Sequence, residues 1–452
     1  MPSRRRGALF CPFAAHILLP QAGNYKKLYQ LIAGYRAIYL TKFGHFAKIM
    51  RRKQSTEPMN QITNPYTPGA GSMPDALVGR DNILEDARVI MERTLRKRSA
   101  RSMIMVGLRG VGKTVLLNRI ESMAQQRDFK TIAFEVTEER SLLESLVPEM
   151  RRVLLELNRS AGVGEAVRRS LIALRNFIGT VKITCSDFGL ELEPMPGLAD
   201  SGNMAMDLTE LFLLAADAAA EKGTGIVLLI DEIQLLRPDE LSALIMAMHK
   251  VQQKQAALLL FGAGLPTLPG LAGEAKSYAE RLFIYPSIGQ LQRRDAFAAL
   301  AQPAAQEGVL FEEEALESIY QATQGYPYFL QEWGSHVWGV AEGDTITAEN
   351  VRAVADDVVR CLDQSFFRVR FDRLTEAEKR FMRVMAELGT EGCRSGAVAR
   401  YLGVKATAIT TVRASLISKG MLYSPAYGVI EFSVPLFSEF LKRSIPLVTR
   451  AS

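Results

Sequence analysis

The chain has 452 residues, too many for one compact core, because hydrophobic cores stop growing at about 250–300 residues, so two or three domains are expected. A hydrophobic content of 48% and a charged content of 23% are those of a globular protein, which excludes a disordered or fibrous chain. Four scattered cysteines and four histidines give no indication of a disulfide framework or a zinc site, and no apolar run reaches the roughly 18 residues of a membrane span. We therefore expect a cytoplasmic protein with reduced thiols.

The net charge of +6 comes from the first 56 residues, which hold eleven Lys or Arg and no acidic residue. The remaining 44 basic and 49 acidic residues give the rest of the chain a net charge of −5. We interpret residues 1–63 as a basic extension outside the folded core. Three explanations remain for it: a translation start placed too far upstream, with Met50 or Met59 as the true start, a targeting or anchoring segment, or a disordered arm. We favour the first.

The predicted folded region begins near residue 64 with the turn-rich sequence NPYTPG, which is followed by LVGRD at residues 77–81. Asp81 is expected to cap a helix over residues 82–97, whose apolar residues recur at helical spacing. The apolar run MIMV at residues 103–106 then predicts a buried strand.

A phosphate-binding motif follows this strand. The sequence GLRGVGKT at residues 107–114 matches G-x-x-x-x-G-K-[ST] and leads into a predicted helix, which is the context that the motif requires. Its glycines allow consecutive N–H groups to face one point at the start of a helix. Lys113 can reach the β- and γ-phosphates, and the Thr114 hydroxyl can ligate Mg²⁺. The residues assigned to nucleotide binding here are Gly107, Leu108, Arg109, Gly110, Val111, Gly112, Lys113 and Thr114.

Hydrophobic periodicity predicts the elements that follow the phosphate-binding motif, up to residue 222. A second strand at residues 131–136 precedes a long helical region at 139–179, and another helix is predicted at 206–222. Two strand-like runs at 181–184 and 188–192 predict a β-hairpin inserted between the helices.

A second motif, IVLLIDE, lies at residues 226–232. Five consecutive apolar residues suit a central parallel strand, and ligands of open α/β sheets bind at the carboxyl ends of such strands. Asp231 therefore suits a Mg²⁺-associated acid, and Glu232 suits the residue that polarises the attacking water. The alternative is a strand end followed by helix-capping acidic residues.

Strands alternate with helices up to a further strand at 257–261, which ends in Gly262-Ala263-Gly264. We therefore predict an α/β fold, with a parallel sheet covered by helices on both faces, over residues 64–288. Residues 289–370 are predicted to form a helical lid, with helices at 292–306, 313–323, 326–341 and from Thr347 to about 365. Pro327 occupies a first helical turn, where proline is tolerated.

Residues 371–452 are predicted to form a winged helix-turn-helix. Thr375 and Glu378 fit a capping box, helices follow to residue 388 and at 395–402 and 406–419, and a hairpin joins 421–424 to 428–432. Residues 374–446 hold ten basic and six acidic residues, and the third helix has an outward polar face that suits duplex DNA. That face comprises Lys405, Thr407, Thr410, Thr411 and Arg413. The alternative is a module that docks protein or autoinhibits.

With these motifs, residues 64–445 resemble the AAA+-like P-loop ATPases of prokaryotes, in particular the origin-recognition and archaeal-type group, related to the STAND signalling ATPases. The resemblance implies ATP and Mg²⁺ as ligands. It also implies that Val78, Gly79 and Arg80 lie near the adenine pocket, and that Gly325-Tyr326-Pro327 is a glycine–x–proline lid motif, with Pro327 at the nucleotide. Arg281 lies where related proteins place an arginine finger, which would make the protein a homo-oligomer. The alternative is a surface arginine paired with Glu280 or another acid.

Two departures from the family pattern affect hydrolysis. The strand at 257–261 ends in glycine and alanine without a polar sensor 1 residue, and the lid lacks an evident sensor 2 arginine. We therefore predict a slow ATPase that acts as a nucleotide-dependent switch, associated with DNA through its winged helix. The alternative is a STAND-like signalling ATPase whose winged helix docks protein or autoinhibits.

Overall fold

The computed structural model describes residues 59–69, 71–159, 164–181, 196–389 and 392–446. Residues 1–58 of the predicted extension lie outside this part, and so does the predicted hairpin, apart from Val181, which ends a helix. The last residues of the predicted extension are folded, since Met59 is buried and its N–H donates to the Ala341 carbonyl at 3.1 Å. The division into four domains stays a prediction.

A six-stranded sheet forms the centre of the molecule. Its strands are β1 (Ser102–Gly107), β2 (Lys130–Glu135), β3 (Ile226–Asp231), β4 (Leu258–Gly264), β5 (Phe283–Ile284) and β6 (Ser287–Ile288). The order is β2-β3-β4-β1-β5, with β6 also paired to β1, and every pairing is parallel. This confirms the predicted parallel sheet and brings the carboxyl ends of β1, β3 and β4 to one edge.

Both faces of this sheet are buried. Ile104 and Val106 of β1 belong to one core cluster, whereas Met103 and Met105 belong to another, because successive side chains of a strand point to opposite faces. Helices Leu142–Arg159, Glu165–Val181, Met204–Glu221 and Pro238–Gln253 contribute to the first cluster, and Asp81–Leu95 and Lys113–Gln125 to the second. Shorter helices follow at Leu268–Ala275 and Ala279–Leu282.

One detail of the predicted helices is wrong. Asp81 does not cap its helix: Arg80 holds the cap position, and Asp81 lies in the first turn, where the helix dipole stabilises its negative charge. The long helical region predicted at 139–179 consists of two helices, Leu142–Arg159 and Glu165–Val181.

The region predicted as a lid contains the helices Arg293–Gln306, Glu313–Thr323, Pro327–Val340 and Ala348–Leu362. Thr347 caps the last of them, in a capping box with Asn350. This helix continues through a π-helical turn, Asp363–Phe367, into the helix Arg368–Phe371. A two-stranded sheet, Leu310–Phe311 with Thr345–Ile346, was not predicted.

The described residues of the C-terminal region form four helices, Glu376–Leu388, Ser395–Leu402, Thr410–Ser418 and Phe437–Ser444, with a 3-10 turn at Ala406–Ile409. The capping box of Thr375 and Glu378 is confirmed. The predicted hairpin pairs Leu422–Tyr423 with Val429–Phe432, and Cys393–Arg394 adds an unpredicted third strand. Residues of the lid and of this region share one hydrophobic core. No helix in the described part of the chain combines the length and apolar character needed to cross a bilayer.

Candidate nucleotide-binding site

The phosphate loop joins β1 to the helix Lys113–Gln125. Gly112, at the N-cap of this helix, has a φ of 91°, which L side chains rarely adopt. Gly107 is required for space, since a Cβ there would lie 2.1 Å from the Ile288 carbonyl oxygen. The loop thus leads into a helix N-terminus, whose unpaired N–H groups and dipole favour an anion.

Lys113 is buried, with 6% of its surface exposed. Its Nζ donates hydrogen bonds to the carbonyls of Gly107 at 3.0 Å and Leu108 at 2.9 Å. Burial lowers the pKa of this ammonium group, and the Glu232 and Asp231 carboxylates oppose the shift. A buried ammonium held by neutral carbonyls is stabilised by an additional anion, so Lys113 fits a phosphate ligand.

Thr114, in the first turn of the helix Lys113–Gln125, contacts Asp231 at the end of β3. The Thr114 hydroxyl donates to the Asp231 carboxylate at 2.5 Å. One hydroxyl and one carboxylate are hard oxygen ligands, which fit Mg²⁺ when substrate phosphates and water complete its shell. Within the described ranges no cluster of three or more His, Cys, Asp or Glu could hold a metal by itself. The donor set therefore fits a metal that binds together with nucleotide.

Glu232 follows β3 with a φ of 52°, in the left-handed region. One carboxylate oxygen lies 3.4 Å from an Arg109 guanidinium nitrogen, and the other accepts a hydrogen bond from the Gln234 amide. The Gln234 carbonyl oxygen in turn accepts from the Leu265 N–H at 3.0 Å, just beyond β4. A Cβ on Gly264 would lie 2.7 Å from that oxygen, so the small residues at the end of β4 leave room for Gln234. The sequence interpretation missed this glutamine.

A cleft of about 370 Å³ adjoins these groups, a size within the range of small-molecule sites. Its lining includes predicted phosphate-binding residues, namely Arg109, Gly110, Val111, Gly112, Lys113 and Thr114, together with Glu232. Apolar residues also line it, among them Leu77, Val78, Leu291, Pro327 and Leu330. This mixed lining suits a nucleotide, which combines an apolar base face with charged phosphates.

The predicted residues beside the adenine have different positions. Val78 and Pro327 line the cleft. Arg80 is buried and donates to the carbonyls of Val111 and Gly289, so it also braces the phosphate loop. Gly79 has a φ of 70°, and a Cβ there would lie 2.7 Å from a carboxylate oxygen of Asp295.

Positive charge exceeds negative charge along the cleft. Arg80, Arg109, Lys113 and Arg370 line it, whereas Glu232 is the acidic residue of the lining. Arg370 comes from the helix Arg368–Phe371, far along the chain from both motifs, and the sequence interpretation did not include it. The excess fits a polyphosphate.

Two family models match the chain: an AAA ATPase domain over residues 76–261, and a domain of unknown function, DUF8462, over residues 364–441. The first covers the phosphate loop, Asp231 and Glu232. The chain contains an AAA ATPase domain. The match to this domain supports ATP binding and ATPase activity for the chain. No curated protein matches the sequence.

Solved structures similar to the chain include a Walker-type ATPase of Pyrococcus abyssi, which is 14% identical with a TM-score of 0.51 over 81% of this chain and 96% of that one. This similarity confirms the P-loop ATPase fold. Cdc6p of Pyrobaculum aerophilum is 15% identical, with a TM-score of 0.43 over 85% and 99% of the two chains. The ORC1 protein of Aeropyrum pernix, in complex with DNA, is 15% identical, with a TM-score of 0.41 over 82% and 94%.

The C-terminal region contacts the phosphate loop of the AAA domain directly. The backbone N–H of Arg109 donates to the Ser433 carbonyl at 3.2 Å. A Cβ on Gly420 would lie 2.9 Å from an Arg109 guanidinium nitrogen and 3.6 Å from Leu265. The same region therefore contacts the phosphate loop and the end of β4.

The remaining predicted residues lie outside the cleft of the AAA domain. Arg281 is exposed in the helix Ala279–Leu282, does not line the cleft, and forms no ion pair with a described residue, so its pairing with Glu280 is not observed. Its role as an arginine finger stays a prediction. The predicted DNA-facing residues Lys405, Thr407, Thr410 and Thr411 are exposed, whereas Arg413 is half-buried and donates to Ser424 at 3.1 Å.

Proposed function

We propose that this protein is an ATP-dependent switch with slow hydrolysis, whose C-terminal winged helix-turn-helix is the output module. The observation that carries the proposal is the hydrogen bond from the phosphate-loop N–H of Arg109 to Ser433 of the C-terminal region, at 3.2 Å. A contact of this kind ties the position of the C-terminal region to the conformation of the loop. Occupancy of the loop by ATP or ADP therefore has a direct route to the output module.

In this proposal different residues of the AAA domain bind the phosphates, hold the metal ion and activate the attacking water. Loop N–H groups and Lys113 bind the phosphates, while Thr114 and Asp231 hold Mg²⁺, which when bound neutralises charge on the β- and γ-phosphates. Glu232 orients and polarises the attacking water. Gln234 positions one oxygen of the Glu232 carboxylate. Turnover is slow because Arg109 engages the other oxygen, and Glu232 must exchange that contact for water.

The test is steady-state hydrolysis of ATP by wild type, Glu232→Gln and Lys113→Ala. We expect slow turnover by wild type and a loss of at least about a hundredfold in Glu232→Gln, the usual contribution of a general base. Lys113→Ala should abolish nucleotide binding. Equal rates in wild type and Glu232→Gln would show that the chain binds nucleotide without turning it over through this residue.

We propose duplex DNA as the partner of the output module. Four exposed residues support this: Lys405, Thr407, Thr410 and Thr411. Neutralisation of one phosphate by Lys405, the cation among them, should give a log–log salt slope of about −1. Lys405→Ala should weaken binding and flatten the slope, while the matched control Lys442→Ala, exposed on the helix Phe437–Ser444, should not. A salt-independent affinity, or none, would remove the DNA partner.

The second candidate is a STAND-like signalling ATPase whose winged helix holds the protein inactive. Two contacts favour it: the Arg109–Ser433 hydrogen bond, and the engagement of Arg413 by Ser424, which withdraws one basic group from a DNA-facing surface. Nucleotide exchange should then change the oligomeric state without DNA. Identical masses of the ADP- and ATP-loaded protein by light scattering would contradict this candidate.

A further inference from the structure

Residues 71–76, which we call the cleft segment, line the nucleotide cleft without belonging to a helix or a strand. The members of the segment that line the cleft are Gly71, Ser72, Pro74 and Ala76. Because the segment has no regular structure of its own, its position depends on contacts with the elements around it.

The chain is fixed both before and after the cleft segment. Tyr66 is buried, and its hydroxyl donates to the Leu300 carbonyl of the predicted lid at 2.5 Å. The Thr67 N–H donates to the side-chain oxygen of Gln331, in another helix of the predicted lid, at 3.1 Å. On the other side, Leu77 packs against one of the two cores of the central sheet. The cleft segment therefore joins the predicted lid to the AAA domain along the cleft.

The helix that starts at the phosphate loop contacts this segment in its middle. The Asn118 side-chain amide donates to the Gly71 carbonyl at 3.2 Å. Thr114 lies four residues earlier in the helix, and therefore on the same helix face. A Cβ on Gly71 would lie 3.2 Å from the Thr114 methyl group. Both side chains thus contact the same glycine.

Gly71 makes this approach possible. Its φ of 73° lies in the left-handed region, which L side chains rarely adopt. The missing side chain also lets the backbone come close to Thr114. In sequence alone, Asn118 is an exposed polar residue of a helix, and only its contact with Gly71 connects it to the cleft.

The hydrogen bond from Asn118 is the one that the cleft segment forms with another element in the described part of the chain. It is exposed to solvent, and a single hydrogen bond of this kind adds little to stability, so it opens far more often than a buried contact. Tyr66, by contrast, is buried in a core. The cleft segment therefore loosens at Asn118 while the chain on both sides of it stays attached.

We propose that Asn118 is a positioning residue, which holds the cleft segment over the bound nucleotide and thereby sets the rate at which the nucleotide leaves. The inference rests on the proposed ATP site and adds to it the control of nucleotide release. Asn118 does not itself line the cleft, so it acts through Gly71. The effect is therefore the same for ADP and ATP.

The experiment measures the release of mant-ADP, chased with excess unlabelled ADP, by stopped flow from wild type, Asn118→Leu and Asn118→Gln. Leucine has a similar volume but no donor, so release should accelerate about three- to tenfold, as expected for one hydrogen bond. Glutamine keeps an amide donor and should restore part of the slow release. A non-hydrolysable mant-ATP analogue should show the same change.

The control for this substitution is Ser122→Ala. Ser122 lies one turn further along the same helix, and its hydroxyl donates to a carbonyl of that helix at 3.0 Å. Its removal should leave the release rate unchanged. Thermal unfolding verifies that each variant folds.

Gly71→Ala tests the other partner of the contact. Alanine is strained at this φ, and its methyl group would press on Thr114, so release should again accelerate about three- to tenfold. Gly343→Ala is the matched control, because Gly343 has a φ of 75° but no described atom within 4 Å of an added Cβ. The double variant Asn118→Leu/Gly71→Ala should be no faster than the faster single variant, since both substitutions free the same segment.

The outcomes separate the inference from the proposed function. If wild type does not bind mant-ADP, the proposed ATP site is wrong and the inference falls with it. If wild type binds and Asn118→Leu releases at the wild-type rate, or changes only the ATP analogue, the inference is overturned while the ATP site stands. Fully additive accelerations in the double variant would overturn it as well. Should Asn118→Leu fail to fold, equal release from Gly71→Ala and Gly343→Ala would overturn the inference.

Discussion

Each oxygen of the Glu232 carboxylate has a side-chain partner. Arg109 approaches one carboxylate oxygen at 3.4 Å, and the Gln234 amide donates to the other. Gln234 also accepts a hydrogen bond from Leu265, just beyond β4, the strand that ends without a polar sensor 1 residue. A glutamine from the loop after β3 therefore links Glu232 to the neighbouring strand.

We predict that Gln234→Leu lowers the rate of ATP hydrolysis about tenfold with little change in KM. Leucine has a similar volume but cannot donate to Glu232, so the loss corresponds to one hydrogen bond that positions the carboxylate, about 1–2 kcal/mol. Steady-state kinetics at saturating ATP measure it. Gln253→Leu, at an exposed position, is the control. A raised KM with an unchanged kcat would instead assign Gln234 to nucleotide binding.

The sequence motifs identified the site residues that are neighbours in the chain. Lys113 and Thr114 are adjacent in a helix start, and Asp231 and Glu232 are adjacent at a strand end. Gln234 lies two residues beyond Glu232, but its significance depends on the small side chain of Gly264 in another strand. No local pattern reports that approach.

Among the elements, the helix Glu376–Leu388 shows how a local motif acquires a tertiary role. Glu378 completes the predicted capping box by accepting from the Thr375 N–H at 2.7 Å. It also accepts from the Ser415 hydroxyl and from the Lys419 ammonium, each at 2.7 Å. The capping acid thereby joins its own helix to the end of the helix Thr410–Ser418.

We predict a pH-dependent loss of stability in Glu378→Gln. Burial opposes ionisation of Glu378, but hydrogen bonds from Lys419, Ser415 and Thr375 prevail and lower its pKa to about 2. A lowered folded-state pKa stabilises the fold above the ordinary glutamate pKa of about 4.3 and loses that contribution as the pH falls toward 2.

Thermal unfolding across pH measures the effect. At pH 7 Glu378→Gln should unfold at a lower temperature than wild type, with a loss of about 1.5–3 kcal/mol for hydrogen bonds to a charged group. The difference should shrink between about pH 5 and 2. Glu376→Gln, whose carboxylate is exposed beside Lys379, should change little at any pH. A pH-independent difference would contradict the assigned ionisation.

Periodicity and capping signals predicted most helices and core strands, because those depend on residues close in sequence. Several short elements escaped prediction. The strand Cys393–Arg394 is two residues long and exists only because Val429–Phe432 lies beside it. The π-helical turn Asp363–Phe367 likewise has no local sequence pattern that would predict it.

Across the whole molecule, the lid and the C-terminal region are not separate bodies joined by a linker. Their side chains share one core, and aromatic rings run from Phe329 of the lid through Phe366 and Phe367 to Phe440 of the last helix. The predicted boundary at 370/371 falls inside the helix Arg368–Phe371. Packed side chains of one core therefore connect the predicted lid to the C-terminal region.

We predict that Gly420→Ala loosens the contact between the C-terminal region and the phosphate loop. Gly420 has a φ of 64°, and a Cβ would approach an Arg109 guanidinium nitrogen at 2.9 Å. Nucleotide exchange should accelerate about three- to tenfold, which corresponds to about 1 kcal/mol of lost contact. Release of a fluorescent ADP analogue measures it.

The matched control is Gly428→Ala. Gly428 has a φ of 76°, so alanine there has the same backbone strain, about 1 kcal/mol, but no described atom lies within 4 Å of the added Cβ. Gly428→Ala should lower the unfolding temperature slightly without changing the rate of exchange. Equal exchange rates in both variants would show that the contact at Gly420 does not restrain the nucleotide.

The sequence by itself determined the parallel α/β core, the phosphate loop, the acidic pair after β3 and the helical character of the lid and C-terminal region. These follow from short-range patterns, since glycine spacing, apolar periodicity and capping residues act within a few residues of chain. Only the tertiary structure decided that Gln234 contacts Leu265 just beyond β4, that Arg370 lines the cleft, and that Ser433 contacts Arg109. Each of those depends on residues brought together by packing of separate elements, which no local pattern encodes.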